Sequence, residues 1–367
     1  MNNDKTYRNA FILVTTLFFT WGFLTVLVDS PISRFREIFT LSYFESGLVQ
    51  FAFFGAYFLL SIPAGYILTR IGYQKGIILG LVTMAIGCFL FYPAASLRMF
   101  GLFMLGYFIL AGGMTILQVA ANPYVAALGS EETSSSRLIL SQAFNSLGTA
   151  IAPSVGAIYF LSDKILSKEE IDLLDVKSRD LYYIGEASAV QGPFIFFGCF
   201  LIAIAMIFFF IKLPSLMSEK EGGTFLDAIT QKNLIYGVFG IFFYVGAEVA
   251  IGSYLVNYFL DMNLVESIQN NSIMNSIATF FKQDIFIKLD NGEYKYSSKA
   301  VFGLFVTFYW SGAMFGRFIG SYLTKIFQAG IVLSSFALAA ILLILLSAFS
   351  NGLISMWSIL AVGLFNS

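Results

Sequence analysis

The chain has 367 residues, of which 58% are hydrophobic, 17% aromatic and only 12% charged, with a net charge of -1. Soluble domains carry about 25% charged residues, so this is the composition of a protein that crosses a bilayer many times. The near-zero charge excludes nucleic acid as a partner. The absence of histidine excludes His-based triads, His proton relays and the usual zinc hydrolase site.

A spanning helix needs about 20 apolar residues, and in chain order the sequence offers nine full candidates and part of a tenth. The first covers 9–30, with a kinked extension through Pro31 to 38. Met1 to Arg8 is short and polar and no small-residue cleavage site follows, so this reads as a span and not a signal peptide. Next come 45–69, 75–93, 99–128 and 136–162, then a polar loop over 163–191 and a sixth span at 192–213. A connection at 214–232 leads to 233–260, a polar loop over 261–299, and spans at 300–324 and 330–349. A tenth begins near Gly352 and the sequence stops within it at Ser367, the expectation being a chain truncated in its tenth helix. Cys88 and Cys199 both fall inside apolar segments and read as buried free thiols.

Two short matches suggest an internal repeat. Gly65-Tyr-Ile-Leu-Thr-Arg70 closes the second span and Gly320-Ser-Tyr-Leu-Thr-Lys325 the eighth. Phe18-Phe-Thr-Trp-Gly22 in the first resembles Phe242-Phe-Tyr-Val-Gly246 in the seventh. Spans one and two thus correspond to seven and eight, the signature of a transporter built from parallel repeats. The expected organisation is an N-terminal six-helix half over 1–213, a cytoplasmic connecting loop over 214–232, and an incomplete C-terminal half over 233–367. Placing the N-terminus inside puts nine Lys or Arg against six acids on the inner side and eleven against fourteen outside. The sign of that difference favours a cytoplasmic N-terminus.

Polar side chains inside these spans are the candidate site. Thr115, Gln118 and Asn122 in the fourth fall within roughly 60° of one another at about 100° per residue. Gly106, Gly113, Ala120 and Ala127 form a small face on the opposite side, suited to close helix packing. The fifth span repeats the design: Gln142, Asn145 and Thr149 share one face, Gly148, Ala152 and Gly156 another, and Pro153 allows a bend. Gln50 adds an amide in the second span. Amides donate and accept without charge, which suits a neutral polyhydroxylated ligand; the alternative for each is an interhelical hydrogen bond. Trp21 could stack on a sugar face, although in a chain with 42 Phe packing is the plainer role.

Three charges also fall in spans. Asp29 ends the first apolar run, where it either holds a cation or proton or simply opens the outer turn before Pro31. Glu248 lies in the middle of the seventh with no turn to explain it. It binds a cation, proton or hydroxyl, or it forms a structural pair, for which Arg317 in the eighth is the candidate partner. Arg317 lies beside Gly312, Gly316 and Gly320 and reads as a structural or gating ion-pair residue, as do Arg70 and Lys325 at the inner surface.

These residues carry a resemblance. Thr25-Val-Leu-Val-Asp29, Gly47-Leu-Val-Gln50, Pro63-Ala-Gly65, Ala120-Ala-Asn-Pro-Tyr124 and Gln142-Ala-Phe-Asn-Ser146 are similar to the fucose permease and glucose/galactose transporter family of the major facilitator superfamily. The resemblance runs from the first span into the tenth. It implies an all-α integral membrane protein with the major facilitator fold of two six-helix repeats. It implies a monomeric symporter of the cell inner membrane, with no cofactor beyond a co-transported proton or sodium ion. Asp29 would couple the cation, with Glu248 contributing from the second half. Gln50, Gln118, Asn122, Gln142 and Asn145 would bind a hexose such as glucose, galactose or fucose. Fucose permeases carry Glu where Gln118 stands, and the Gln of the glucose/galactose branch removes a second protonatable group. Thr69 also replaces the Asp that usually precedes the basic residue of the inner loop. Efflux of another small molecule and an inactive truncated carrier are the competing readings. A membrane enzyme has neither a nucleophile motif nor a metal-ligand cluster to support it.

Overall fold

The computed structural model describes residues 2–29, 43–160, 171, 173–216, 227, 230–280, 286–288, 294–296 and 298–366. The chain divides into two compact units, Met1–Met217 and Ser218–Ser367. The first contains α1 (Asn2–Asp29), α2 (Tyr43–Ile71), α3 (Tyr73–Leu97), α4 (Phe100–Ala127), α5 (Ser134–Phe160) and α6 (Val176–Phe210). The extension expected at 31–38 lies outside the described residues. Among the described helices seven are long and apolar enough to cross a membrane by length and hydropathy. α5, with Gln142, Asn145 and its serines, is more polar than these.

In a bilayer, lipid solvates apolar side chains as well as protein does, so helices associate through close packing and not through the hydrophobic effect. α3 and α4 show how. A methyl group added to Gly80 would lie 2.9 Å from the Gly113 carbonyl, and one added to Gly113 would lie 2.5 Å from the Met84 nitrogen. Gly76 meets Ala120 and Gly87 meets Gly106 and Leu110 along the same seam. The small face expected of the fourth span is therefore the α3 contact over Gly106, Gly113 and Ala120; Ala127 is exposed at its end. α1 and α5 meet in the same way, Gly148 against the Phe19 carbonyl and Gly22 against the Asn145 carbonyl. Aromatic side chains fill the wider gap between α3, α4 and α6: Phe91 stacks on Phe194 at 4.1 Å and meets Tyr107 edge-on at 5.3 Å. The outward face of α2 carries Phe51, Phe54 and Phe58, the last 82% exposed.

Two expectations are corrected here. The polar stretch over 163–191 is not all loop: α6 begins at Val176, where the Asp175 carboxylate accepts from the Ser178 N–H at 3.3 Å. That N-cap satisfies a backbone donor the helix start would leave bare. At 35 residues α6 is about 50 Å long, against a hydrocarbon layer of roughly 30 Å, so its polar first turns project beyond the bilayer. Cys199 is exposed on this helix; only Cys88 is buried.

The second unit contains α7 (Lys232–Asp261), α8 (Val265–Asn270), α9 (Ser272–Phe280), a hairpin of β1 (Phe286–Lys288) and β2 (Tyr294–Tyr296), then α10 (Ser298–Ile326), α11 (Ala329–Phe349) and α12 (Gly352–Phe365). The expected polar loop over 261–299 thus holds two short helices and an antiparallel pair in which Ile287 faces Lys295. Apolar residues at helical spacing in Ile268, Met274 and Ala278 bury against α7 and α10, a periodicity too short to register as a span. Glycine again sets the tight contact: Gly316 lies against the Leu364 carbonyl and Gly363 against that of Tyr309, with no room for a methyl group on either. The α7, α11 and α12 chains are tied by a knot of hydroxyls, Tyr258 with Ser355 at 2.8 Å and Ser355 with the Ser347 carbonyl at 2.8 Å.

Candidate functional site

The amides of α4 and α5 form the polar interior of the first unit. Gln142 Nε2 donates to Asn122 Oδ1 at 3.3 Å, joining the two helices side chain to side chain. Both are half-buried. Pro123, next to Asn122, removes one helical N–H and leaves the Val119 carbonyl without its usual donor, a second polar opening on the same stretch. Gln118, one turn earlier, donates from Nε2 to the Tyr57 hydroxyl of α2 at 2.9 Å. Asn145 Nδ2 donates to the Phe18 carbonyl of α1 at 3.0 Å, so this amide takes part in the α1–α5 contact while keeping its oxygen.

Thr115 departs from the stripe expected of α4. It is buried and its hydroxyl turns back onto the Ala111 carbonyl at 2.8 Å. A Thr with no polar neighbour satisfies itself on its own helix in this way. Thr149 does the same on Ser146. Asp29 and Gln50 fall within α1 and α2, but their side chains lie outside the described residues.

In the second unit Arg317 Nη2 lies 3.2 Å from Glu248 Oε1, joining α10 to α7. The pair has company. Tyr244 takes a hydrogen bond from Arg317, and Asn366 donates to both Glu248 and the Tyr309 hydroxyl, the latter at 3.2 Å. Tyr244 in turn donates to the Asn366 carbonyl at 3.2 Å. Arg70 and Lys325 are exposed at the ends of α2 and α10. Arg70 hydrogen-bonds Tyr66 and stacks over its ring with 4.4 Å to the centroid.

Among the described residues no three His, Cys, Asp or Glu converge as metal ligands. A cavity of about 820 Å³ between α1, α5 and α6 in the first unit is walled by Phe19, Phe23, Phe196, Phe197 and Phe200. Its Thr16 and Thr20 hydroxyls are turned onto their own helix. It offers a hydrocarbon surface, and the hydrogen-bonding groups lie elsewhere, on α2, α4 and α5.

Tyr57, Tyr244, Tyr309 and Asn366 were missed by sequence reasoning. A signal existed for Tyr57: seven residues after Gln50, it shares a helix face with it. Arg137 was counted only as an inner charge, yet it caps α4, donating to the Val125 and Ala126 carbonyls at 3.2 and 2.6 Å.

A family model described as Major Facilitator Superfamily matches residues 10–367. A glucose/galactose transporter of Brucella abortus biovar 1 (strain 9-941) is 40% identical over 372 residues, covering 100% of this chain and 79% of that protein. The L-fucose-proton symporter of Escherichia coli (strain K12) is 32% identical over 358 residues, covering 95% and 75%. A crystal structure of the major facilitator transporter FucP in the outward conformation superimposes with a TM-score of 0.81 at 30% identity, over 99% of this chain and 82% of that one.

Proposed function

This chain belongs to the Major Facilitator Superfamily, and we propose that it is a secondary active symporter that moves a neutral hexose such as glucose, galactose or fucose together with a cation. It is a multi-pass membrane transporter and not an enzyme. The observation that carries the substrate class is the half-buried amide pair Gln142–Asn122, flanked by Gln118 and Asn145. Uncharged donors and acceptors in a low-dielectric interior suit hydroxyl groups and give no counter-charge for a phosphate or carboxylate. The relatives named glucose/galactose transporter and L-fucose-proton symporter support the same class.

In this reading Gln50, Gln118, Asn122, Gln142 and Asn145 bind the sugar and Asp29 couples the cation. Glu248 is neutralised by Arg317 and contributes a paired charge to the second unit; Arg70 and Lys325 act at the inner surface. An unpaired carboxylate in the membrane is costly. A bound proton or sodium ion lowers the cost of moving Asp29 through the closed state, so the loaded carrier reorients faster than the half-loaded one. We read the units as the halves of a six-plus-six repeat, joined through 214–232, working as a monomer in the inner membrane with the N-terminus cytoplasmic.

The test is uptake of labelled glucose, galactose and fucose into proteoliposomes, with pH and sodium gradients imposed separately. Accumulation of at least one hexose, abolished by collapsing one of the two gradients, is the expected result. No uptake of any of the three, or uptake indifferent to both gradients, overturns the reading.

A further inference from the structure

A phenol oxygen has two lone pairs and one proton to place. At Tyr57 the Gln118 amide donates to that oxygen at 2.9 Å. The Gln118 N–H occupies a lone pair, so the Tyr57 proton must be given to a different group. Among the described residues no acceptor for it is present. The ring itself is fixed: Phe53 packs on it at 5.4 Å, and Phe53 in turn meets Tyr107 of α4 at 6.2 Å. Tyr57 is half-buried, whereas Phe54 and Phe58 of the same helix are exposed.

The same bond orients Gln118. One N–H of its NH2 group is committed to Tyr57, and the acceptor it offers is the carbonyl Oε1. A donor, the Tyr57 O–H, and an acceptor, Gln118 Oε1, therefore stand next to each other. A sugar hydroxyl is the ligand group that needs both at once, since it accepts and donates through one oxygen.

We propose that Tyr57 is a substrate-contacting and specificity-determining residue: its O–H donates to one hydroxyl oxygen of the hexose while that hydroxyl donates to Gln118 Oε1. The proposal rests on the hexose symport reading above and names the pair that reads a single hydroxyl.

The experiment is hexose counterflow in proteoliposomes, with the monodeoxy sugars of the preferred hexose, one for each of its hydroxyls, as competitors. The unmodified chain should discriminate against one deoxy position by about 10-fold or more, the worth of a paired hydrogen bond in a dry site. Tyr57→Phe keeps the ring and removes the proton. It should weaken the parent hexose by about 10-fold and bring discrimination at that one position close to unity, leaving the other positions as they were. Should that variant fail to reach the membrane, Gln118→Met carries the same test at the same position. Equal weakening of the parent and all the deoxy sugars, or unchanged discrimination, overturns the proposal, because the phenol proton then serves the protein and not the ligand. Absence of hexose counterflow by the unmodified chain overturns the symport reading instead, so the two failures are told apart.

Discussion

Glu248 and Arg317 face each other at 3.2 Å between α7 and α10, with side chains only 14% and 17% exposed. Each neutralises a charge that the membrane interior would otherwise exclude. Tyr244, Tyr309 and Asn366 add hydrogen bonds around the pair. The arrangement fits an ionic contact that holds two helices together better than a site left open for a travelling cation.

Removing one partner should therefore be worse than removing both. Arg317→Met or Glu248→Leu should each destabilise the protein by about 3–5 kcal/mol, because a buried charge is left without its counterpart. The double variant should recover much of that loss. Melting in detergent, followed by tryptophan fluorescence, measures it. A double variant as unstable as the two singles added together would mean that the charges act independently.

Asp29 is the acid assigned to coupling. Asp29→Asn should abolish accumulation against a gradient while preserving hexose exchange across the membrane, since a neutral amide no longer forces cation and sugar to move together. Parallel measurement of driven uptake and counterflow separates the two. Full accumulation by this variant would remove Asp29 from the coupling role.

The amide pair on α4 and α5 should behave as one unit. Asn122→Ala and Gln142→Ala should each weaken hexose binding by about 10-fold. The double variant should lose less than the sum, because each single change already breaks the 3.3 Å bond between them. Kd values from counterflow competition close the cycle. Strict additivity would place the two amides in separate environments.

Glycine positions should divide by what lies beside them. Gly113→Val drives a side chain into the α3 backbone around Met84 and should cost at least about 2 kcal/mol. Gly65→Ala meets nothing within 4 Å and should be neutral or stabilising by up to about 1 kcal/mol. Yield from membranes and melting temperature report the contrast. Equal damage from both would show that backbone freedom, and not helix contact, is what glycine supplies here.

Much of the fold was legible because hydropathy and helix formation are the same constraint in a bilayer: every backbone polar group must be satisfied within its own segment. The boundaries of α2, α4, α7 and α11 accordingly fall within two residues of the apolar runs. α6 was read short because its first sixteen residues lie beyond the apolar run and are held as helix by the Asp175 cap, which carries no hydropathy signal. The hairpin at 286–296 was missed for a similar reason, two strands of three residues being too short to show alternation.

Periodicity along one helix also decided which residues share a face, and so placed Gln118 with Asn122 and Gln142 with Asn145. It could not say what each face meets. Tyr57 for Gln118, the Phe18 carbonyl for Asn145 and the Ala111 carbonyl for Thr115 are choices made by the neighbouring helix. The reason is physical. In lipid no hydrophobic force selects one apolar partner over another, so helices settle where glycine permits backbone approach and where polar atoms find each other. From sequence alone come the spans, the neutral chemistry of the polar faces and the family resemblance. Only tertiary packing decides that Glu248 is a paired acid, that Thr115 serves its own helix, and that a tyrosine stands behind Gln118.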